Sequence, residues 1–145
     1  MKFPLTEYFY NVTKEAYSFL ENRGCVQYEE EADWEVDLVY ESDNLTVTHS
    51  YGDREMLFNT VIRVKPRDPY GYALWEWVNV LEYKPQGKIS DNLISDEKHL
   101  EALVKTSADC LQKILDQIIN AGPEKLNALE AARNKVRKEW EAKYK

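Results

Sequence analysis

The sequence predicts an α+β fold: an N-terminal helix, an antiparallel meander of three to four strands, and two long C-terminal helices packed on one sheet face. Apolar residues recur at helical spacing over residues 5–22, alternate with polar residues over 34–64, and return to helical spacing from 95 onward. An alternating run leaves one face of an antiparallel sheet apolar, and helices are expected to cover that face. A chain of 145 residues suits one domain, 1–145.

The leading helix is predicted over residues 5–22. Its apolar stripe consists of Leu5, Tyr8, Phe9, Val12, Ala16, Phe19 and Leu20. Pro4 precedes it, where a missing N–H costs nothing. Gly24 follows it, where a left-handed C-terminal cap is expected.

The meander is predicted from three alternating runs joined by short turns at Ser42-Asp43-Asn44 and Gly52-Asp53. The face expected against helices consists of Trp34, Val36, Leu38, Tyr40, Leu45, Val47, Tyr51, Met56, Phe58 and Ile62. The face expected to meet water is largely polar and consists of Glu35, Asp37, Glu41, Thr46, Thr48, Ser50, Glu55, Asn59 and Arg63. His49 falls on the apolar face.

The rest of the chain is predicted to be mainly helical. Residues 72–83 fit either a short helix, which is favoured, or a fourth strand. Ser95 is the expected N-cap of a long helix. The apolar stripe of that helix consists of Leu100, Leu103, Val104, Leu111, Ile114, Leu115 and Ile118. A last helix is predicted from Pro123 to Tyr144, with a stripe of Leu126, Leu129, Val136 and Trp140.

Charge limits the kinds of partner. The net charge is −7, from 26 acidic and 19 basic side chains, which disfavours nucleic acid and anionic membranes and favours a basic protein. No Lys or Arg occurs between Arg23 and Arg54, where nine acidic residues lie. The tail from 123 to 145 is mildly positive, with seven basic and four acidic residues.

Motifs for catalysis or cofactor binding are missing from the sequence. The two histidines, His49 and His99, and the two cysteines, Cys25 and Cys110, do not have metal-ligand spacing. Phosphate-binding glycine motifs and a nucleophile elbow are also absent. We therefore expect no enzyme, no metal, no cofactor and free buried thiols. Without a signal peptide or membrane span in the sequence, a cytoplasmic location is expected.

Two groups of residues are candidates for binding a protein partner. The first is the set of carboxylates Glu35, Asp37, Glu41 and Glu55, which could also be a merely solvated face or, less favoured, an acid–base or Ca²⁺ site. The second is the aromatic set Tyr70, Trp75 and Trp77, for which packing in the core is favoured and an anchor for a partner is the alternative.

Motifs in the first half of the chain carry a family resemblance. Residues 19–25 (FLENRGC), 36–40 (VDLVY) and 51–55 (YGDRE) resemble segments of small bacterial proteins, some similar to immunity proteins of polymorphic toxin systems. The resemblance implies a non-enzymatic inhibitor of a cognate toxin. The alternatives are a structural or regulatory protein, which could form a homo-oligomer through the two C-terminal helices, and an enzyme with a site assembled from scattered residues.

Overall fold

The computed structural model describes residues 3–52 and 55–144 and has the predicted α+β architecture. Its elements are, in order, α1 (Thr6–Ala16), a 3-10 helix (Ser18–Arg23), β1 (Val26–Glu31), β2 (Glu35–Glu41), β3 (Leu45–Gly52), β4 (Leu57–Val64), β5 (Tyr72–Ala73), α2 (Leu74–Val80), α3 (Glu97–Ile119) and α4 (Pro123–Tyr144). Asp53 of the second predicted turn and Arg54 of the third resemblance motif lie outside the described residues.

The leading helix changes type at Tyr17, so the stretch predicted as one helix consists of α1 and a 3-10 helix. Tyr17 is fully buried: its hydroxyl donates to Ser107 Oγ of α3 at 2.6 Å, and its ring centroid lies 3.9 Å from that of His49. The regular helix therefore ends where this side chain enters the core. Gly24 has φ 87°, the left-handed cap that was predicted.

The sheet has five antiparallel strands in chain order, from β1 to β5. The three predicted strands correspond to β2, β3 and β4, and two more strands extend the meander. β1 pairs with β2 from Val26↔Glu41 to Glu31↔Val36, although most of its side chains are exposed. Backbone pairing makes this segment a strand, because the alternation in its sequence is too short and too weakly apolar to have predicted it.

The helices cover the apolar face of the sheet, as predicted. All seven residues of the predicted α3 stripe are buried. The β-strand side of this core consists of Val36, Leu38, Tyr40, Leu45, Val47, Tyr51, Phe58 and Ile62. Trp34 was also expected there but precedes β2 and is 57% exposed. Met56 packs against the core as expected, although its φ of 47° ends the strand alternation before β4.

Segment 72–83 contains the favoured short helix, whereas the alternative strand, expected around residues 78–83, is not formed there and a two-residue strand precedes the helix instead. Tyr72 and Ala73 form β5 beside β4, and α2 begins at Leu74, where Glu76 accepts a hydrogen bond from the Ala73 N–H at 3.0 Å. The N-cap of α3 is Asp96, one residue later than predicted; its carboxylate accepts from the His99 N–H at 2.8 Å.

The last helix has the predicted bounds but buries less of its apolar stripe than expected. Leu129 is its only fully buried residue among those described, whereas Val136 and Trp140 are exposed. Contacts with α2 hold the helix, and Arg133 forms an ion pair with Glu76 at 2.5 Å. Among the described residues, no helix is long and apolar enough to cross a lipid bilayer.

Candidate functional site

The three acidic residues of β2 share the sheet face opposite the helices. Glu35, Asp37 and Glu41 occupy alternate positions of the strand, which places their side chains on one side. In the register, Asp37 lies opposite Glu30 of β1 and Ser50 of β3. Directly paired residues of antiparallel strands project to the same face, so β1 adds its own side chains to this surface.

The contribution of β1 was not predicted from the sequence. Val26 is 69% exposed and Tyr28 is 39% exposed, and the Tyr28 hydroxyl donates to Glu41 Oε1 at 3.2 Å. We call the resulting surface the acidic edge, which consists of Val26, Tyr28, Glu30, Glu35, Asp37 and Glu41. The signal for it was the alternation of Val26, Tyr28 and Glu30 with Gln27 and Glu29, which is short and only weakly apolar.

Cations from distant parts of the chain neutralise some of the acidic residues. Lys65 Nζ lies 2.9 Å from Glu41 Oε2 and lowers the pKa of that carboxylate by hydrogen bonding and charge. Lys14 Nζ of α1 lies 2.5 Å from Glu29 Oε2. Glu30 and Glu35 form no ion pair with a cation among the described residues. The acidic edge therefore keeps part of the negative charge of the segment unpaired.

Asp37 is the most perturbed carboxylate of the acidic edge. Burial, together with a hydrogen bond and repulsion from Glu35, raises the pKa of Asp37 to about 7, against a smaller lowering by Ser50. Its Oδ1 atom is enclosed and has no hydrogen-bond partner among the described residues. The edge therefore gains negative charge as the pH rises through neutrality. Asp37 is not the fully solvated residue that the alternation suggested.

Glu55 is separated from the acidic edge. It precedes β4, and the left-handed Met56 interrupts the alternation that was expected to place it on the same face. Its carboxylate lies 3.4 Å from Asn92 Nδ2, and its carbonyl accepts a hydrogen bond from the Leu93 N–H. Glu55 thus belongs to the contact between this turn and the loop before α3.

The three aromatic candidates occupy different environments. Tyr70 is 85% exposed on the loop between β4 and β5, and Trp75 is 44% exposed on α2. Trp77 is fully buried, and its indole N–H donates to the Ile62 carbonyl at 3.3 Å. The prediction that Trp77 contacts a partner is therefore wrong, because its side chain completes the core between α2 and β4.

Trp75 lies beside a groove that the sequence did not predict. The groove has a volume of about 580 Å³ and lies between the β4–β5 end of the sheet, α2 and α4. We call it the aromatic groove and define it by Val61, Trp75, Val136, Arg137 and Trp140. Two of these residues were assigned to the buried stripe of the last helix, so only the packing of α4 reveals them as a surface.

A row of side chains connects the acidic edge to the aromatic groove. The register pairs Tyr28 with Val39, Val39 with Thr48, Thr48 with Val61, and Val61 with Ala73. Val39 and Ala73 are buried although they lie on the face expected to be polar. The open face is thus polar along its outer rows and largely apolar along this central one.

The histidines and cysteines, which are the remaining candidates for catalysis or metal binding, do not lie together in one site. His49 is fully buried, shares a 2.9 Å hydrogen bond with Thr60 Oγ1, and has its pKa lowered by burial to about 3. His99 Nε2 lies 3.1 Å from Asp91 Oδ2. Cys25 and Cys110 are buried free thiols, as predicted. Within residues 3–52 and 55–144, no three His, Cys, Asp or Glu side chains are grouped so that they could hold a metal ion.

Comparison with known proteins identifies no similar protein, so the site is interpreted from its geometry alone. The chain matches no family model, and neither a curated protein nor a solved structure is significantly similar to it.

Proposed function

We propose that this protein is an inhibitor of the immunity type, which binds a basic bacterial toxin in the cytoplasm and blocks it through the acidic edge. The observation that carries the proposal is the combination of exposed Tyr28 and Val26 with the carboxylates Glu30, Glu35 and Asp37 on one strand edge. Tyr side chains are common anchors of protein interfaces, and complementary charge speeds the encounter. Toxins that act on nucleic acid are commonly basic and would be attracted to such a surface.

The position of β1 supports binding at this place. Among residues 3–52 and 55–144, β1 is the first strand of the sheet and pairs with β2 alone, so one side of its backbone has no strand partner there. Edge strands that carry charge resist pairing with copies of themselves. The acidic side chains of β1 therefore disfavour self-association at this edge and favour a partner of opposite charge.

The experiment is a growth-rescue assay with the toxin domain encoded next to this protein in its own genome. Co-expression with the wild type should restore growth, and the two purified proteins should form a complex. The triple variant Glu35→Gln, Asp37→Asn and Glu41→Gln should protect less well. A matched control, Glu97→Gln, Glu124→Gln and Glu139→Gln, makes the same change in net charge at exposed helical positions away from the edge.

Two results would count against the proposal. If growth arrest persists when the wild type is co-expressed and no complex forms, the proposed inhibitor function is wrong. Equal loss of protection in the two triple variants would show that net charge, rather than the acidic edge, attracts the toxin. A stable oligomer with no toxin binding would support the alternative of a structural or regulatory protein.

A further inference from the structure

The C-terminal half of α4 exposes a continuous apolar stripe. Val136, Trp140 and Tyr144 are spaced four residues apart, which places them on one side of the helix, and they are 57%, 61% and 63% exposed. The rings of Trp140 and Tyr144 are in contact, with centroids 4.9 Å apart. Single exposed apolar residues are ordinary on protein surfaces, but a contiguous aromatic set marks a binding surface.

Val136 and Trp140 of this stripe, together with Arg137, form one wall of the aromatic groove. Val61 and Ala73 of the sheet and Trp75 of α2 line the other side. A volume of about 580 Å³ lies within the usual range of about 300–1,000 Å³ for binding cavities. The part of α4 that lines the groove, residues 132–140, is about 14 Å long at about 1.5 Å per residue. The groove therefore matches a helical segment of about two and a half turns.

The charge of the groove is opposite to that of the whole chain. Arg133 is paired with Glu76, and these two groups cancel. Arg137 lines the groove and forms no ion pair among the described residues. Lys143 lies 5.5 Å from the centroid of the Tyr144 ring, at the end of the stripe. Of the carboxylates in the part of the chain that the structure describes, the paired Glu76 alone lines the groove, although the chain carries a net charge of −7.

We propose that the aromatic groove binds an acidic amphipathic helix from a partner protein. Apolar side chains one turn apart on that helix enter between Trp75 and Trp140, and a carboxylate on its flank pairs with Arg137. This is the helix-in-groove mode, in which apolar anchors give affinity and flanking charges give orientation. The groove lies at the far end of the open sheet face from the acidic edge and has the opposite sign, so it constitutes a second interaction surface.

The test uses the full chain and two synthetic helical peptides as probes. Both are about 14 residues long with the same Leu and Phe anchors at helical spacing; one carries Glu at the remaining positions and the other carries Lys. Fluorescence anisotropy should show that the Glu peptide binds at least about tenfold more tightly than the Lys peptide at low salt. Trp140→Ala should weaken binding of the Glu peptide by about tenfold or more. Arg137→Glu should abolish the preference.

Controls separate the groove from general effects. Tyr70→Ala removes an exposed aromatic that does not line the groove, and it should leave the affinity unchanged. The triple variant of the acidic edge should also bind the Glu peptide normally. An unchanged unfolding midpoint of Trp140→Ala would show that the loss of binding is local, as expected for a side chain that is 61% exposed.

Three outcomes would overturn the proposal. Equal affinity for the two peptides would show that charge does not select the ligand. If neither peptide binds, the groove is not a helix-binding site. A dimer in light scattering that Trp140→Ala converts to a monomer would show that a second copy of this chain occupies the groove.

Discussion

Two titratable residues, the half-buried Asp37 and the fully buried His49, have pKa values shifted toward their neutral forms and give opposite dependences of stability on pH. The folded-state pKa of Asp37 is raised to about 7, so the folded state binds a proton more tightly than the unfolded chain. Stability from this group falls as the pH rises between about 4 and 7. The pKa of His49 is lowered to about 3, so stability from that group falls as the pH drops below about 6.5. The two trends oppose each other between about pH 4 and 6.5.

Replacing Asp37 by Asn should therefore stabilise the protein in a pH-dependent way. The gain in free energy of unfolding should be about 1–2 kcal/mol larger at pH 8, where the partly buried carboxylate is charged, than at pH 5.5, where it is protonated. Urea unfolding at the two pH values measures it. Glu55→Gln, which removes an exposed carboxylate, serves as control. An equal gain at both pH values would show that Asp37 does not titrate between pH 5.5 and pH 8 in the folded protein.

Replacing His49 by Leu should remove sensitivity to mild acid. The variant loses the hydrogen bond with Thr60 and should be less stable at pH 7. Between pH 7 and pH 5 the wild type carries a proton-linked cost of about 2 kcal/mol that the variant lacks, so the stability gap should narrow by about that amount. The surface variant His99→Gln is the control. A gap that stays constant over this pH range would disprove the argument.

At the scale of the secondary-structure elements, α4 divides into an anchored part and an exposed part. Leu129 is fully buried and should cost about 2–4 kcal/mol when replaced by Ala, because the change leaves a cavity. Val136→Ala, at a 57% exposed position of the same helix, should cost about 0.5 kcal/mol or less. Chemical unfolding of both variants measures the difference. Equal costs would mean that the C-terminal half of α4 packs in solution against part of the same chain.

Charges of opposite sign are separated on the surface of the whole molecule. The open face carries negative charge at the β1 side and positive charge at the α4 side, while the chain as a whole is acidic. Fields of this kind act mainly on the rate of association, because individual exposed charges contribute only about 0–1 kcal/mol to a pair. We therefore expect the β1 side of the face to attract basic partners and the α4 side to attract acidic ones.

Neutralising the acidic edge should slow association with a basic toxin. The triple variant Glu35→Gln, Asp37→Asn and Glu41→Gln should reduce the association rate about tenfold at low salt, and high salt should reduce the difference. Stopped-flow measurement at two ionic strengths tests it, with the helical triple control alongside. Equal rates of wild type and variant at low salt would show that the acidic edge is only a solvated surface.

Much of the fold could be predicted because hydrophobic periodicity is a local property. The alternation of β2 to β4 and the helical spacing of α3 decide which side chains share a face, and those faces are buried as expected. β1 could not be predicted in this way, since its strand structure depends on pairing with β2 rather than on its own pattern. The position of Trp77 was also undecided, because an aromatic on a short amphipathic helix fits either core or surface.

Local sequence patterns are sufficient to predict the α+β class, the order of the main elements and the negative charge of the meander. Which of those charges remain unpaired depends on tertiary contacts, because Lys14 and Lys65 reach Glu29 and Glu41 from distant segments. Tertiary packing likewise places Val136 and Trp140 of α4 at a groove instead of in the core. The physical reason is the same in both cases: periodicity assigns a side chain to a face, but its partners come from elements far away in the chain.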